Sequence, residues 1–242
     1  MIQNKKLSKF LLEERIRQGI GTLSEKTLHY TLKNYLEPRQ EYQEVKIGKF
    51  IADIYNEHGI IEIQTRSFNL LRRKLETFLQ KEMVTVVYPM DGTKWLSWID
   101  LETGEVSKRR KSPKKGNYND AFYELYKIKS FLNHPNLKIY ILKLEIEEYR
   151  NLDGYSKNKK KGSSRFDRIP IQIEDSWLIS SIEDYKKILP TTLPITFTSN
   201  DYARCSNIAL KRAQLALNIL TEVGAVKRVG MKGKSILYER IY

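Results

Sequence analysis

Two carboxylates and an amide stand close together in "ADIYNEHGIIEIQT", Ala52 to Thr65. Asp53 sits on one apolar run, Glu62 and Gln64 on the next, and a tight turn separates them. A two-residue loop at Glu57-His58 pairs Asn56 with Gly59, and a four-residue loop pairs Tyr55 with Ile60. Both loops set Asp53 opposite Glu62. Opposed side chains have Cβ atoms roughly 4.5–5.5 Å apart, and like charges there repel. Strand side chains alternate, so Glu62 and Gln64 share a face while Ile61 and Ile63 point into the core. A divalent cation would relieve the repulsion. Mg²⁺ takes carboxylates, waters and phosphate oxygens, and it can activate water and stabilise charge on a phosphate. The plainer alternative is that one acid faces solvent on an edge strand. A register slip of one residue would place the pair on opposite faces.

The elements that must position these residues read as follows. "TLSEKTLHYTLKNYLEP" carries Leu23, Leu28, Leu32 and Leu36 near helical spacing and stops at Pro38. Three strand-like runs follow: "EYQEVKIG", "KFIADIY" and "HGIIEIQT". "RSFNLLRRKLETFLQKE" predicts an amphipathic helix, and "MVTVVYPM" a strand buried on both faces. "KWLSWIDLETGEV" predicts a hairpin, "DAFYELYKIKSFLNH" a helix and "LKIYILKLEIEEY" a long strand. "RIPIQIEDSWLISS" predicts two short extended pieces. Two basic loops, "SKRRKSPKKG" and "KNKKKGSSR", interrupt this region and read as phosphate contacts, with plain solvated loops as the alternative.

An α-β-β-β-α-β order with Asp on the second strand and Glu-x-Lys on the third resembles the PD-(D/E)xK nuclease superfamily, the restriction-endonuclease-like fold. The likeness covers roughly Thr22 to Pro89, about a quarter of the chain. It implies an α/β (α+β) core with a mixed central sheet. It also implies that Asp53 and Glu62 hold Mg²⁺, or Mn²⁺, helped by the backbone carbonyl of Ile63. The departure is Gln64, which stands where the usual residue is Lys. Gln can orient a water but brings no positive charge. Lys49 on the Asp53 face, and Arg66 and Lys74 just beyond the motif, are cations that could compensate. Glu25 fits two roles. Branches of this superfamily aim a Glu of the first helix at the metal, while "TLSE" is also a capping box with Thr22 as N-cap. His29, one turn on, could reach a scissile phosphate or be an ordinary core or surface histidine.

From about Ile182 the character changes. "SIEDYKKIL", "TSNDYARCSN" and "IALKRAQLALNILTEVG" predict three helices, and "AVKRVGMKGKSILYERI" a basic hairpin. This order resembles the winged helix-turn-helix. Ala213, Leu217 and Leu220 give the long helix an apolar face, leaving Lys211, Arg212, Gln214 and Asn218 outward. Arg, Gln and Asn are side chains that read base edges in the major groove. The wing offers Arg228, Lys232 and Lys234 to phosphates. A winged helix that binds protein, or packs on the core, is the alternative. The expected organisation is an N-terminal arm at 1–21, a nuclease-like core at 22–180 and a small winged-helix domain at 181–242.

Bulk composition agrees with a polyanionic partner. The 242 residues carry 43 Lys and Arg against 29 Asp and Glu, net +14. One cysteine, Cys205, excludes an internal disulfide and a Cys-based zinc site, which suits a cytoplasmic protein. No stretch approaches 18 apolar residues, so no membrane span is expected. The two resemblances together imply a Mg²⁺-dependent DNA endonuclease, hydrolysing phosphodiesters of double-stranded DNA. Lys49 and Arg66 near the motif join the winged helix in gripping it. Cutting both strands takes a homodimer or sequential nicks. The rivals are a catalytically inactive DNA-binding regulator on a nuclease fold, favoured by Gln64, and an RNA-directed nuclease or binder.

Overall fold

The computed structural model describes residues 27–154 and 163–241. Thr22, Glu25, the 1–21 arm and most of the second basic loop lie outside the described residues. The fold is a mixed α+β arrangement. Seven strands form one sheet in the order β1-β2-β3-β4-β6-β7, with β5 beside β4. These are β1 (Gln43–Ile47), β2 (Phe50–Asn56), β3 (Gly59–Ile63), β4 (Val84–Ile99), β5 (Arg110–Lys111), β6 (Leu137–Asn151) and β7 (Arg165–Ile179). β1 and β2 run antiparallel, β3 and β4 parallel, β4 and β5 antiparallel. A second, three-stranded sheet has the order β8-β10-β9, from Thr196–Thr198, Ser235–Arg240 and Val226–Lys232.

The chain divides into two compact units, and several long strands contribute to both. The first takes the described residues up to Asn56, with Pro89–Gly116 and Ile141–Ser176. Helix α1 (Thr27–Leu36) opens it, with Leu28 and Leu32 buried one turn apart as the leucine spacing predicts. Behind α1 lies a satisfied polar knot. Buried Glu37 accepts from Arg39 Nε and Nη2, both at 2.8 Å, and from Asn56 Nδ2 at 2.9 Å. Asn34 accepts from Gln40 and Gln43. Arg39's hydrogen bonds bring the Glu37 carboxyl from 4.5 down to about 2, against the opposing pull of burial, and Asn56 adds to the lowering. A depressed carboxyl stabilises the fold fully above its unfolded value, and that contribution is lost as pH falls through its folded value. The expected result is that Glu37→Gln flattens the fall of urea-unfolding midpoint as pH drops from about 4.5 toward 2.

The second unit takes Glu57–Tyr88, Asn117–Tyr140 and Trp177–Tyr242. Here two predicted helices are shorter than the sequence suggests. "RSFNLLRRKLETFLQKE" forms a 3₁₀ turn at Phe68–Leu71 and then α2 (Arg72–Phe78). "DAFYELYKIKSFLNH" breaks into 3₁₀ turns on either side of α3 (Phe122–Leu125), with Ile128 outside helical geometry. Ala121, Phe122, Leu125, Ile128 and Leu132 are buried at helical spacing, and the break falls where Ile128 turns to φ −118, ψ 23. The two extended pieces expected in "RIPIQIEDSWLISS" are instead one strand, β7. β7 ends the sheet order, where a proline such as Pro170 is tolerated. Thus, among the described residues from Lys94 to Ile179, the end of β4 with β5, β6 and β7 extends the sheet.

The C-terminal elements follow the predicted order closely. They are α4 (Ile182–Lys186), α5 (Ser199–Cys205) and α6 (Leu210–Glu222), with β9 and β10 after them. Thr198 caps α5 in a reciprocal box with Asp201. Gly224, at φ +80, ends α6, and the Ala225 amide reaches back to the Leu220 carbonyl at 2.8 Å. Ala213, Leu217 and Leu220 are fully buried, as their spacing requires.

Candidate functional site

The turn of the opening hairpin falls at Glu57-His58, since β2 ends at Asn56 and β3 begins at Gly59. Gly59 is required there. Its φ is +96, and a Cβ on it would lie 2.4 Å from the Met83 carbonyl oxygen.

Asp53, in the first unit, lies between fully buried Ala52 and Ile54 on β2, with its own side chain on the opposite face. Its Oδ2 is 3.2 Å from His29 Nε2, and both side chains are 21% exposed. The structure therefore joins two residues that the sequence offered separately. A histidine on Asp53 orients the carboxylate and leaves it reachable from solvent. Lys49 stands exposed in the β1–β2 turn, its ammonium 5.4 Å from the Phe50 ring.

Glu62, in the second unit, is buried on β3, opposite Val86 of β4. Both oxygens of its carboxylate accept from Lys74 Nζ, at 2.9 and 2.7 Å. Lys74 comes from α2 and keeps 24% of its side chain in solvent, against 3% for Glu62. Of the compensating cations suggested by the sequence, Lys74 is the one placed on the Glu62 carboxylate. Gln64 follows β3; its amide N–H donates to the Val87 carbonyl at 2.9 Å and its Oε1 accepts from the Arg66 amide at 3.2 Å. Arg66 itself is exposed. Ile63 is buried beside Val87, while Ile61 keeps partial exposure, so both faces of β3 are largely covered. His134 takes a structural part: its Nδ1 accepts from the Asn136 amide at 3.2 Å.

Among the described residues, no group of three or more His, Cys, Asp or Glu side chains is arranged to hold a metal. The donor chemistry at Asp53 and Glu62 is hard carboxylate oxygen, which suits Mg²⁺ or Mn²⁺. Glu25, the third candidate ligand, lies outside the described residues.

On α6, Lys211 and Gln214 are exposed. Arg212 and Asn218 are engaged: Arg212 pairs with Asp120 at 2.7 Å and Asn218 accepts from Lys129 at 3.1 Å. These two hold α6 within its own unit, so its free polar face is narrower than the sequence suggests. Arg228, Lys232 and Lys234 are all exposed on β9 and the turn after it. A cavity of about 330 Å³ in the same unit is lined by Leu132, Leu137, Ile179, Tyr185 and Val223, and takes in none of Glu62, Gln64 and Lys74.

Sequence reasoning missed a charge network in the first unit. Lys94 contacts Asp91 at 2.7 Å and fully buried Glu148 at 3.6 Å; Arg150 and Arg165 also reach Glu148, and Arg168 reaches Asp91. Burial opposes ionisation of Asp91, but Arg168 and Lys94 outweigh it and hold the carboxyl below its usual value. These residues are scattered over three strands, so no local pattern announces them.

No solved structure matches the chain. A protein of Treponema pallidum (strain Nichols), named only as an uncharacterized protein, is 28% identical over 222 residues, spanning 91% of this chain and 87% of its own length. The matched family span, residues 26–180, takes in Asp53, Glu62, Gln64 and Lys74, and over that span the chain belongs to the family described as Domain of unknown function (DUF8091).

Proposed function

We propose that this protein is a metal-dependent DNA endonuclease of the PD-(D/E)xK type, with a C-terminal winged helix that positions it on duplex DNA. The observation that carries the reading is the Lys74–Glu62 pair. The motif lacks its lysine at Gln64, and a helix one element later supplies an ammonium to the motif's own glutamate. The mixed strand order with a parallel β3–β4 pair supports a restriction-endonuclease-like core. The order α4-β8-α5-α6-β9-β10, with β10 between β8 and β9, supports the winged helix.

In this reading Asp53 and Glu62 hold Mg²⁺ or Mn²⁺, with the Ile63 carbonyl and Glu25 as further ligands. The metal would activate water and neutralise charge on the phosphate. His29 holds the Asp53 carboxylate in place, Lys74 adds the positive charge that Gln64 cannot, and Gln64 orients the attacking water. Lys211 and Gln214 face the major groove, while Arg228, Lys232 and Lys234 meet phosphates with Lys49 and Arg66 nearer the motif. The DNA would be double-stranded.

Supercoiled plasmid incubated with Mg²⁺, Mn²⁺ or EDTA tests this. Nicked or linear product with metal alone is the expected result. A second reading, an inactive DNA-binding regulator, is favoured by Gln64 and by its amide oxygen being turned to the Arg66 backbone. It gains ground if plasmid stays intact with every metal while gel shifts persist. Displacement from DNA by structured RNA at equal concentration would instead favour an RNA-directed role.

A further inference from the structure

In the first unit, the stretch that the sequence offers as a basic loop is built as a ribbon. β4 continues past Lys94, turns at 100–105 and returns through Val106 to β5. Trp95 faces Lys111 across it, Leu96 faces Arg110, and Ile99 bridges Val106. Side chains alternate, so Trp95 and Trp98 occupy opposite faces of the ribbon. Each face carries its own cation on its own indole. The Arg109 guanidinium lies 4.4 Å from the Trp95 ring centre and the Lys111 ammonium 5.6 Å; Arg110 lies 5.1 Å from the Trp98 ring centre.

The ribbon is rigidly rooted. Trp95 Nε1 donates to Glu145 at 2.6 Å, the Leu152 amide donates to the Ile99 carbonyl at 2.9 Å, and Lys94 is fixed by Asp91. At its base the backbone passes so close that a Cβ on Gly116 would lie 1.8 Å from the Asp91 carbonyl oxygen. Lys108, Arg109, Arg110, Lys111, Lys114 and Lys115 are all exposed along the returning strand and its exit. The tip is different: Glu102 and Glu105 are exposed there and Asp100 is beside them.

We infer that this ribbon, residues 94–115, is a pre-ordered arm that grips the phosphate backbone of duplex DNA through Arg109, Arg110 and Lys111, with Trp95 and Trp98 as their supports. The inference rests on the DNA-directed reading above and deepens it. A cation resting on an indole is held there by the ring's quadrupole. Arg109, Arg110 and Lys111 are exposed, so their donors can be reached from solvent. Binding therefore orders fewer side chains than a free lysine loop would. A two-stranded ribbon also fits along a DNA groove. The acidic tip repels phosphates, so contact runs along the ribbon's flank and base.

Two of the chain's three tryptophans lie in the arm, and Trp177 is buried in the other unit. Trp177 emits in every variant, so the difference in emission between wild type and Trp95→Phe/Trp98→Phe reports the arm. Duplex DNA is titrated in EDTA at several salt concentrations, using wild type, Arg109→Gln/Arg110→Gln and Trp95→Phe/Trp98→Phe. Wild-type emission changes on saturation, and the Trp95→Phe/Trp98→Phe protein binds without that change. Each lost phosphate contact removes roughly 0.9 from the slope of log affinity against log salt, so the arginine double variant loses about 2. An unchanged slope, or wild-type emission that DNA leaves untouched, overturns the inference. Because EDTA suppresses hydrolysis, this outcome is separate from whether plasmid is cut in Mg²⁺. Should the arginine variant not fold, the wild-type and tryptophan-variant emissions decide alone.

Discussion

Lys74→Met is expected to destabilise the protein by about 3–5 kcal/mol, because it takes away the ammonium from which both oxygens of the buried Glu62 carboxylate accept. Glu62 is almost wholly buried and takes two hydrogen bonds from this one ammonium. Removing one partner of a buried pair costs far more than the pair is worth, since the remaining ion must stay in low dielectric. Met keeps the length of the lysine stem, so lost packing contributes little. Chemical unfolding measures the loss directly. The double variant Lys74→Met/Glu62→Gln separates this cause from a general packing defect. With neither charge present, it should regain most of the lost stability, a coupling that a double-mutant cycle reads out. Its cleavage activity should not return with its stability.

The second large effect is on rate. Glu62→Gln keeps the shape of the side chain and removes its charge. Mg²⁺-dependent cleavage should fall by about 10²–10³-fold, the usual cost of losing one preorganised electrostatic contribution to a charged transition state. Each tenfold corresponds to about 1.4 kcal/mol of barrier. Lys74 reaches solvent, so the freed ammonium stays hydrated and the fold is retained. Duplex binding in EDTA should be no weaker than wild type, since the variant is one negative charge poorer. Single-turnover rates and gel shifts on the same preparation separate the two effects.

Much of this arrangement is legible in the order of the amino acids. Period-two runs and the Glu57-His58 turn place β1, β2 and β3 within a residue or two. The Ala213, Leu217 and Leu220 stripe places α6 and its buried face. What is not legible depends on partners distant in sequence. Lys74 is one of several nearby cations until α2 brings it to Glu62. Arg212 and Asn218 look outward on a helical wheel, yet Asp120 and Lys129, some ninety residues away, occupy them. The segmented helices around Phe122 show a subtler limit. The buried Ala121, Phe122, Leu125, Ile128 and Leu132 keep α spacing in the sequence, yet the backbone leaves helical geometry at Ile128. The tryptophan support of the arm hides for the same reason: "KRRK" reads as a basic loop, on phosphates or solvated, until strand pairing sets Lys111 against Trp95.

The most direct measurement of the central claim is single-turnover cleavage of an end-labelled duplex at saturating protein, comparing wild type with Asp53→Ala. Saturation removes affinity from the comparison and leaves the chemical step. The account predicts cutting by wild type in Mg²⁺, none in EDTA, and a rate lowered about 10²–10³-fold in Asp53→Ala with the protein still bound to DNA. Equal rates in wild type and Asp53→Ala, or a bound duplex that no divalent metal causes to be cut, would contradict it.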